Sequence, residues 1–265
     1  MARMFALITF FVSLCMSYFS SIAYAGFQNL PSLVIMAEPS LTETITEIGR
    51  RYSKDHRVSV TCSFDNSTNQ IDEINLGEAV NVFLTSDSTY VQQLKTQGVI
   101  DAYTVVNLAS NKLVLAIPKN HALRLQLKAK KSFEEVLQSL IDTHTSFVMT
   151  DSNKTDQGHK IRQSIEHYAL WDTLSPLAIT SLNSRQTVQL MLKENRPGFV
   201  YLTDVVNYHD LEILKPIQDN AYDPIIYQAV VVAGDQMEIG RQFIATISDP
   251  KYQQIFAYYG FGPHP

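Results

Sequence analysis

The sequence predicts an α/β protein of two lobes, each a mainly parallel sheet flanked by helices, joined by a two-strand hinge. Two observations carry this. Strand-like and helix-like segments alternate over residues 32–85 as β-α-β-α-β, the pattern of a parallel sheet with right-handed crossovers. Two long apolar strands, 112–118 and 225–232, then bracket the middle third of a chain that has no Gly/Ser linker, repeat or low-complexity tract. Read as crossings, they give a first lobe of residues 26–111 and 229–265 and a second of 112–228.

The elements follow in order. Residues 32–37 are a short apolar run, and Leu41, Ile45, Ile48 and Tyr52 come after it at helical spacing. Residues 57–64 alternate as a second strand, 67–76 make a short helix closed by Gly77, and 80–85 are a third strand. A helix with Tyr90, Val91 and Leu94 inward stops at Gly98. Later strands are expected at 112–118, 146–150, 176–180, 198–202 and 225–232. Between them helices are expected over 133–141, around Ile161 and Ile165, and around Val188 and Met191. Two helices close the chain, one opened by Asp235 with Glu238 completing a capping box, one by Asp249 with Pro250 in its first turn.

The first residues carry Arg3, an apolar run over 5–16, and Ala23-Tyr24-Ala25, the layout of a cleaved secretory signal over residues 1–25. The run is too short to span a membrane, and no small residues precede Cys15 as lipidation would require. Export to the periplasm is the expectation. The signal takes one of 21 basic residues and none of 26 acidic ones, so the exported chain is acidic and unsuited to nucleic acid or anionic membrane. Cys62 is its single cysteine, so no internal disulfide forms; in the alternating 58–64 segment it reads as an inert strand residue.

Ser40-Leu41-Thr42-Glu43 and Ser67-Thr68-Asn69-Gln70 follow the first two strands, and each fits the S-x-x-E/Q capping box. A capping serine alone needs no ligand, since it satisfies an orphan N–H worth about 1 kcal/mol. Both starts, however, fall on the sheet edge where open α/β sheets bind ligands, and each offers free N–H groups and a partial positive charge. Together they make a candidate anion site. In the middle lobe Thr155-Asp156-Gln157-Gly158 and Ser184-Arg185-Gln186-Thr187 open further helices, and Tyr201 ends a buried strand with its hydroxyl free to face a cleft. Neither a catalytic spacing among the seven histidines nor a metal motif is present, so no enzyme, metal centre or cofactor is expected.

Segments such as Ala37-Glu38-Pro39-Ser40-Leu41-Thr42, Val82-Phe83-Leu84-Thr85-Ser86-Asp87, Trp171-Asp172-Thr173-Leu174-Ser175-Pro176 and Gly198-Phe199-Val200-Tyr201 resemble, in order, the periplasmic molybdate-binding proteins of ABC importers. The resemblance runs nearly the whole exported chain and implies the two-lobed type II periplasmic-binding-protein fold. It implies that molybdate or tungstate is held by the hydroxyls of Ser40, Ser67 and Tyr201 and by backbone N–H groups at Gln157 and Ser184. It further implies a monomer that delivers its anion to a membrane permease subunit. Two departures stand out: Asp156-Gln157-Gly158 replaces a common Pro-Ala-Gly, and Asn81 replaces an aspartate. Asp156 and Glu38 must point away from a dianion, since a carboxylate about 4 Å from it costs roughly 4 kcal/mol per unit charge at an effective dielectric of 20, or else the ligand differs. Arg185 or Lys154 are candidates to lend a compensating charge. The alternatives are a receptor for phosphate, sulfate or a small carboxylate, and a sensor domain of the same fold without a transport role.

Overall fold

Two five-stranded sheets are built to one plan. The computed structural model describes residues 30–264, and the predicted signal lies outside them. From the N-terminal side come β1 (Ser32–Ala37), a 3-10 turn (Pro39–Leu41), α1 (Thr42–His56), β2 (Ser59–Phe64), α2 (Ser67–Asn75), β3 (Val82–Thr85), α3 (Ser88–Gln97) and β4 (Ile100–Asn111). Next are β5 (Leu113–Pro118), α4 (Arg124–Lys128), α5 (Phe133–Asp142), β6 (Phe147–Thr150), α6 (Asp156–Glu166), α7 (Trp171–Leu174), a second 3-10 turn (Ser175–Leu177) and β7 (Ala178–Ser181). The chain continues through α8 (Ser184–Glu194), β8 (Gly198–Tyr201), α9 (Leu202–Asn207), β9 (Leu211–Pro216), β10 (Ile225–Val232), α10 (Met237–Ile247) and α11 (Pro250–Tyr258).

The strand orders are β2-β1-β3-β10-β4 and β7-β6-β8-β5-β9. In each sheet the first three strands are parallel and the other two antiparallel to their neighbours, so both sheets are mixed, with a parallel half. The chain passes between sheets at Lys112 and again between Pro216 and Ile225. Residues 225–228, assigned to the second lobe by the sequence, pair with β4 from Ile225↔Asn111 onward and belong to the first sheet. Apolar periodicity reveals a strand but not which sheet receives it.

Alternation along the strands sorts side chains to the two faces. In the first sheet Leu33, Ile35 and Leu84 face Ile45, Ile48 and Phe243, whereas Met36 and Phe83 face Ile71, Val91 and Leu94. In the second, Leu115, Phe147 and Phe199 meet Val136 and Leu140, while Val114, Val148 and Val200 meet Val188 and Met191. Cys62 lies half-buried on β2, where burial pushes its thiol up to about 11 and keeps it protonated. Asn81 takes the Val34 N–H at 2.7 Å through its side chain, ahead of β3, at the end of the strand away from the loops that carry the candidate site.

Two strands escaped the sequence reading. β4 and β9 are edge strands, with polar residues such as Asn107, Glu212 and Lys215 and irregular register, so their alternation is diluted. Asp249 caps α11 as expected, accepting from the Lys251 N–H at 2.9 Å. Asp235 does not cap α10; the helix starts two residues later, with Gln236 at its N-cap and no side-chain cap bond.

Phe199 is fully buried and edge-on to Phe147 and Phe133 at centroid separations of 5.5 and 6.1 Å, two residues before Tyr201. Phe199→Ala is expected to lower the unfolding free energy by about 3–5 kcal/mol, as core aromatic truncations do, in urea denaturation. A loss below about 1 kcal/mol would mean the cluster contributes little to the core.

Candidate ligand site in the cleft

The carboxyl ends of all six parallel strands point into the cleft between the sheets. Glu38 follows β1, Ser67 follows β2, Ser86 follows β3, α6 starts after β6, α8 after β7, and Tyr201 ends β8. Between them lies a cavity of about 40 Å³, and all five residues predicted from sequence, Ser40, Ser67, Gln157, Ser184 and Tyr201, line it. One water needs about 10–15 Å³ on this measure, so there is space for about three or four oxygen-sized groups.

Neither serine is a helix cap. Ser40 lies inside the 3-10 turn, and the N-cap position of α1 falls on Leu41. Its Oγ sits 2.9 Å from the Tyr227 hydroxyl, which also accepts from Asn111 Nδ2 at 3.3 Å. Ser67 is the first residue of α2, after Asn66, and its hydroxyl donates to Glu38 Oε1 at 3.0 Å and lies 2.9 Å from Thr85 Oγ1. The capping-box spacing is right, but the N-cap of α1 falls one residue after Ser40 and that of α2 one residue before Ser67, so neither hydroxyl is spent on a cap.

In the second lobe the caps are Thr155, which takes the Gly158 N–H at 2.9 Å, and Asn183, which takes that of Gln186 at 2.9 Å. Neither cap takes the N–H of Gln157 or Ser184. Gln157 is buried, and both its amide oxygen and its amide nitrogen lack a protein partner, as does the Thr150 hydroxyl beside it on the cavity wall. A buried polar group left unpaired costs about 1–3 kcal/mol, so this wall suits a polar occupant. Gly158 lets α6 approach the loop before it, since a Cβ there would lie 2.2 Å from the Asp151 carbonyl oxygen.

The carboxylates do not point away. Glu38 and Asp156 both line the cavity, contrary to the expectation for a dianion site. Glu38 accepts from the Ser67 and Thr85 hydroxyls, from the Ser86 N–H at 2.7 Å and from the Ser86 hydroxyl at 2.9 Å. Asp156 Oδ2 lies 2.9 Å from the same Ser86 hydroxyl oxygen, and the residue pairs with Lys160 in a buried salt bridge. Burial, chiefly, raises both carboxyls above their ordinary range. Neither proposed compensating cation serves. Arg185 turns to Glu43 at 2.6 Å and to Tyr208, and Lys154 reaches the rim with its side chain 79% exposed. Sequence reasoning missed Thr85, Ser86 and Lys160. The strand-end rule that found the loops after β1 and β2 applies equally to the loop after β3 and would have found the first two.

Contacts between the lobes include Asn66 Nδ2 to the Leu182 carbonyl at 2.8 Å, Ser86 to Asp156, Arg185 to Glu43, and Asn111 Nδ2 to Thr203 Oγ1 at 3.0 Å. Tyr201 is buried, its hydroxyl faces Ser86, and burial pushes its titration well above the ordinary range.

A model of the family of bacterial extracellular solute-binding proteins matches residues 33–262. The molybdate-binding protein ModA of Escherichia coli is 23% identical over 231 residues, covering 86% of this chain and 88% of that protein. The periplasmic molybdate-binding protein of Azotobacter vinelandii superposes with a TM-score of 0.72 at 19% identity, covering 86% of this chain and 98% of that one. The tungstate-binding protein TupA of Desulfovibrio alaskensis superposes with a TM-score of 0.62 at 13% identity, covering 88% and 99%.

Behind Tyr201, Asp204 takes the Tyr201 N–H at 3.0 Å, and burial pushes its carboxyl from 3.8 up to about 7. Between those values the folded state holds a proton that the unfolded state has released, so rising pH removes stability across that window. Asp204→Asn cannot titrate and keeps an acceptor for the Tyr201 N–H. Its melting temperature relative to the parent is expected to climb from pH about 4 to about 7 and then level off. A difference that does not vary with pH would exclude Asp204 from the balance.

Proposed function

Because this chain belongs to the bacterial extracellular solute-binding proteins, we propose that it is the periplasmic receptor that captures molybdate or tungstate and hands it to the permease subunit of an ABC importer. The observation that carries this reading is the cavity of about 40 Å³ lined by strand ends and helix starts of both lobes. Its size suits the four oxygens of one tetrahedral anion. Its donors suit charge: the hydroxyls of Ser40 and Tyr201, that of Ser67 once it turns from Glu38 to the anion, and the first-turn N–H groups of Gln157 and Ser184. Each hydrogen bond to a charged ligand contributes about 1.5–3 kcal/mol and each helix end about 0.3–2 kcal/mol, enough together to offset dehydration of a dianion. The names of the Escherichia coli and Azotobacter vinelandii relatives point to molybdate, that of the Desulfovibrio alaskensis protein to tungstate.

The two lobes close around the anion by hinge motion, and the contacts across the cleft are those expected of the closed form. A second reading, hydrogen phosphate, is favoured by Glu38 and Asp156, because a carboxylate accepts a hydrogen bond from an oxyanion that carries a proton.

A melting-temperature screen with molybdate, tungstate, sulfate and phosphate tests the function. The cognate anion at 100 times its dissociation constant is expected to add about 2.7 kcal/mol to stability. No shift with any of the four would overturn the receptor reading. Ser40→Ala and Ser67→Ala are each expected to weaken binding about 10- to 100-fold, the worth of one charged hydrogen bond, as read by calorimetry. Neither serine caps a helix, so without anion Ser40→Ala is expected to cost only the worth of its bond to Tyr227, about 0.5–1.5 kcal/mol, whereas Ser67→Ala, which removes a donor from the buried Glu38, is expected to cost about 1–3 kcal/mol, both read as changes in melting temperature.

A further inference from the structure

The contacts among Glu38, Ser86 and Asp156 contain one hydrogen too few. Ser86 Oγ lies 2.9 Å from Glu38 Oε2 and 2.9 Å from Asp156 Oδ2, and a hydroxyl has a single proton to donate. Ionised carboxylates only accept, so with both charged one of these buried contacts sets oxygen lone pairs against each other. The Ser86 N–H does not supply the missing hydrogen, because it is given to Glu38 Oε1. One carboxylic proton completes the chain.

The charges around the chain lead to the same count. From α6 come Asp156 and its partner Lys160; Asp87 stands after β3; Tyr201 on β8 and Tyr227 on β10 are neutral phenols; Asp204 lies behind Tyr201; and Lys154 reaches only the rim. Ser67 and Thr85 are neutral hydroxyls. Lys160 balances one of the two carboxyls and no second cation pairs with Glu38 among the described residues. With one proton in the chain these three ionisable groups are neutral; without it they carry a negative charge against an incoming anion.

Resting on the oxyanion-receptor reading, we infer that this site binds its anion together with one proton held in the Glu38–Ser86–Asp156 chain, which makes Glu38 a determinant of the anions accepted and of the pH range of binding. The proton belongs to the coupled pair rather than to either carboxyl. Burial raises both carboxyls, so the chain keeps its proton to higher pH than an exposed carboxyl would, and loses it as pH rises further. Below that loss, affinity is level. Above it, binding draws a proton from solvent, and the dissociation constant rises about tenfold per pH unit. Hydrogen phosphate brings its own proton to the same place, whereas molybdate and sulfate arrive without one.

Calorimetric titration of the full chain with molybdate, from about pH 5 to about pH 9 in paired buffers of different ionisation heat, tests this. The expected result is a level dissociation constant with a break followed by the tenfold slope, and uptake of about one proton per anion above the break. Phosphate in the same titration is expected to take up less than molybdate, because it carries a proton in. Glu38→Gln, a neutral isostere with an N–H for Ser86, is expected to lose the break and to bind molybdate more tightly than the parent at the highest pH. The proton uptake of the parent needs no variant, so a Glu38→Gln chain that fails to fold leaves the test in place. A level dissociation constant with no proton uptake in a parent that binds molybdate overturns the proton chain and leaves the receptor standing. Absence of binding with molybdate, tungstate, sulfate and phosphate at every pH overturns both.

Discussion

The cleft depends on one constraint: the first-turn N–H groups of a helix have no partners inside the helix, and a parallel strand delivers its following helix with those groups facing outward from the sheet edge. Three parallel strands in each lobe do this, and the matching strand orders bring the six edges face to face. Side-chain caps take part of the demand, as Thr155 and Asn183 do for Gly158 and Gln186. What is left over, at Gln157 and Ser184, faces the cavity between the lobes.

The same geometry explains why carboxyls are tolerated there. Glu38 sits where three strand ends converge, and Ser67, Thr85 and Ser86 supply its hydrogen bonds. Such donors offset much of the desolvation of a buried carboxylate, and removing one would expose that cost. Asp156 solves the same problem differently, by pairing with Lys160 one helical turn away. Ser86 joins the two solutions across the cleft, so Glu38, Asp156, Lys160 and the hydroxyls around them form one connected network. The network reaches Tyr201, while the Ser40–Tyr227–Asn111 bonds tie the opposite wall to the end of β4, next to the crossing at Lys112.

Most of the architecture was legible because its signals are local. Strands 32–37, 147–150 and 198–201 are mostly apolar and buried, and α1, α5 and α8 carry their inward residues at helical spacing. β4 and β9 were not legible, since an edge strand has one neighbour and admits polar residues on much of its surface. All five candidate residues line the cavity, but the two serines for a reason the structure revises. They matched a capping box and are not caps; the N-cap positions fall on Leu41 and Asn66, and the serine hydroxyls bond to Tyr227, Glu38 and Thr85 instead. Asp235 failed for a related reason, its helix starting two residues further on.

By itself the sequence determined the alternation of strands and helices, the two lobes, and the loops after the strands as the place of the cavity. Those follow from periodicity and from the chemistry of helix starts, which short stretches of chain carry within themselves. Only the tertiary structure decided where the charges lie. Glu38, Ser86, Asp156 and Lys160 are far apart in sequence or on different elements, and whether a carboxyl near a loop faces solvent or a cavity depends on which other strand ends pack against it. The sequence suggested Arg185 and Lys154 as the compensating cations, and the fold used Lys160, because burial beside a particular partner, and not proximity along the chain, sets which charge is balanced.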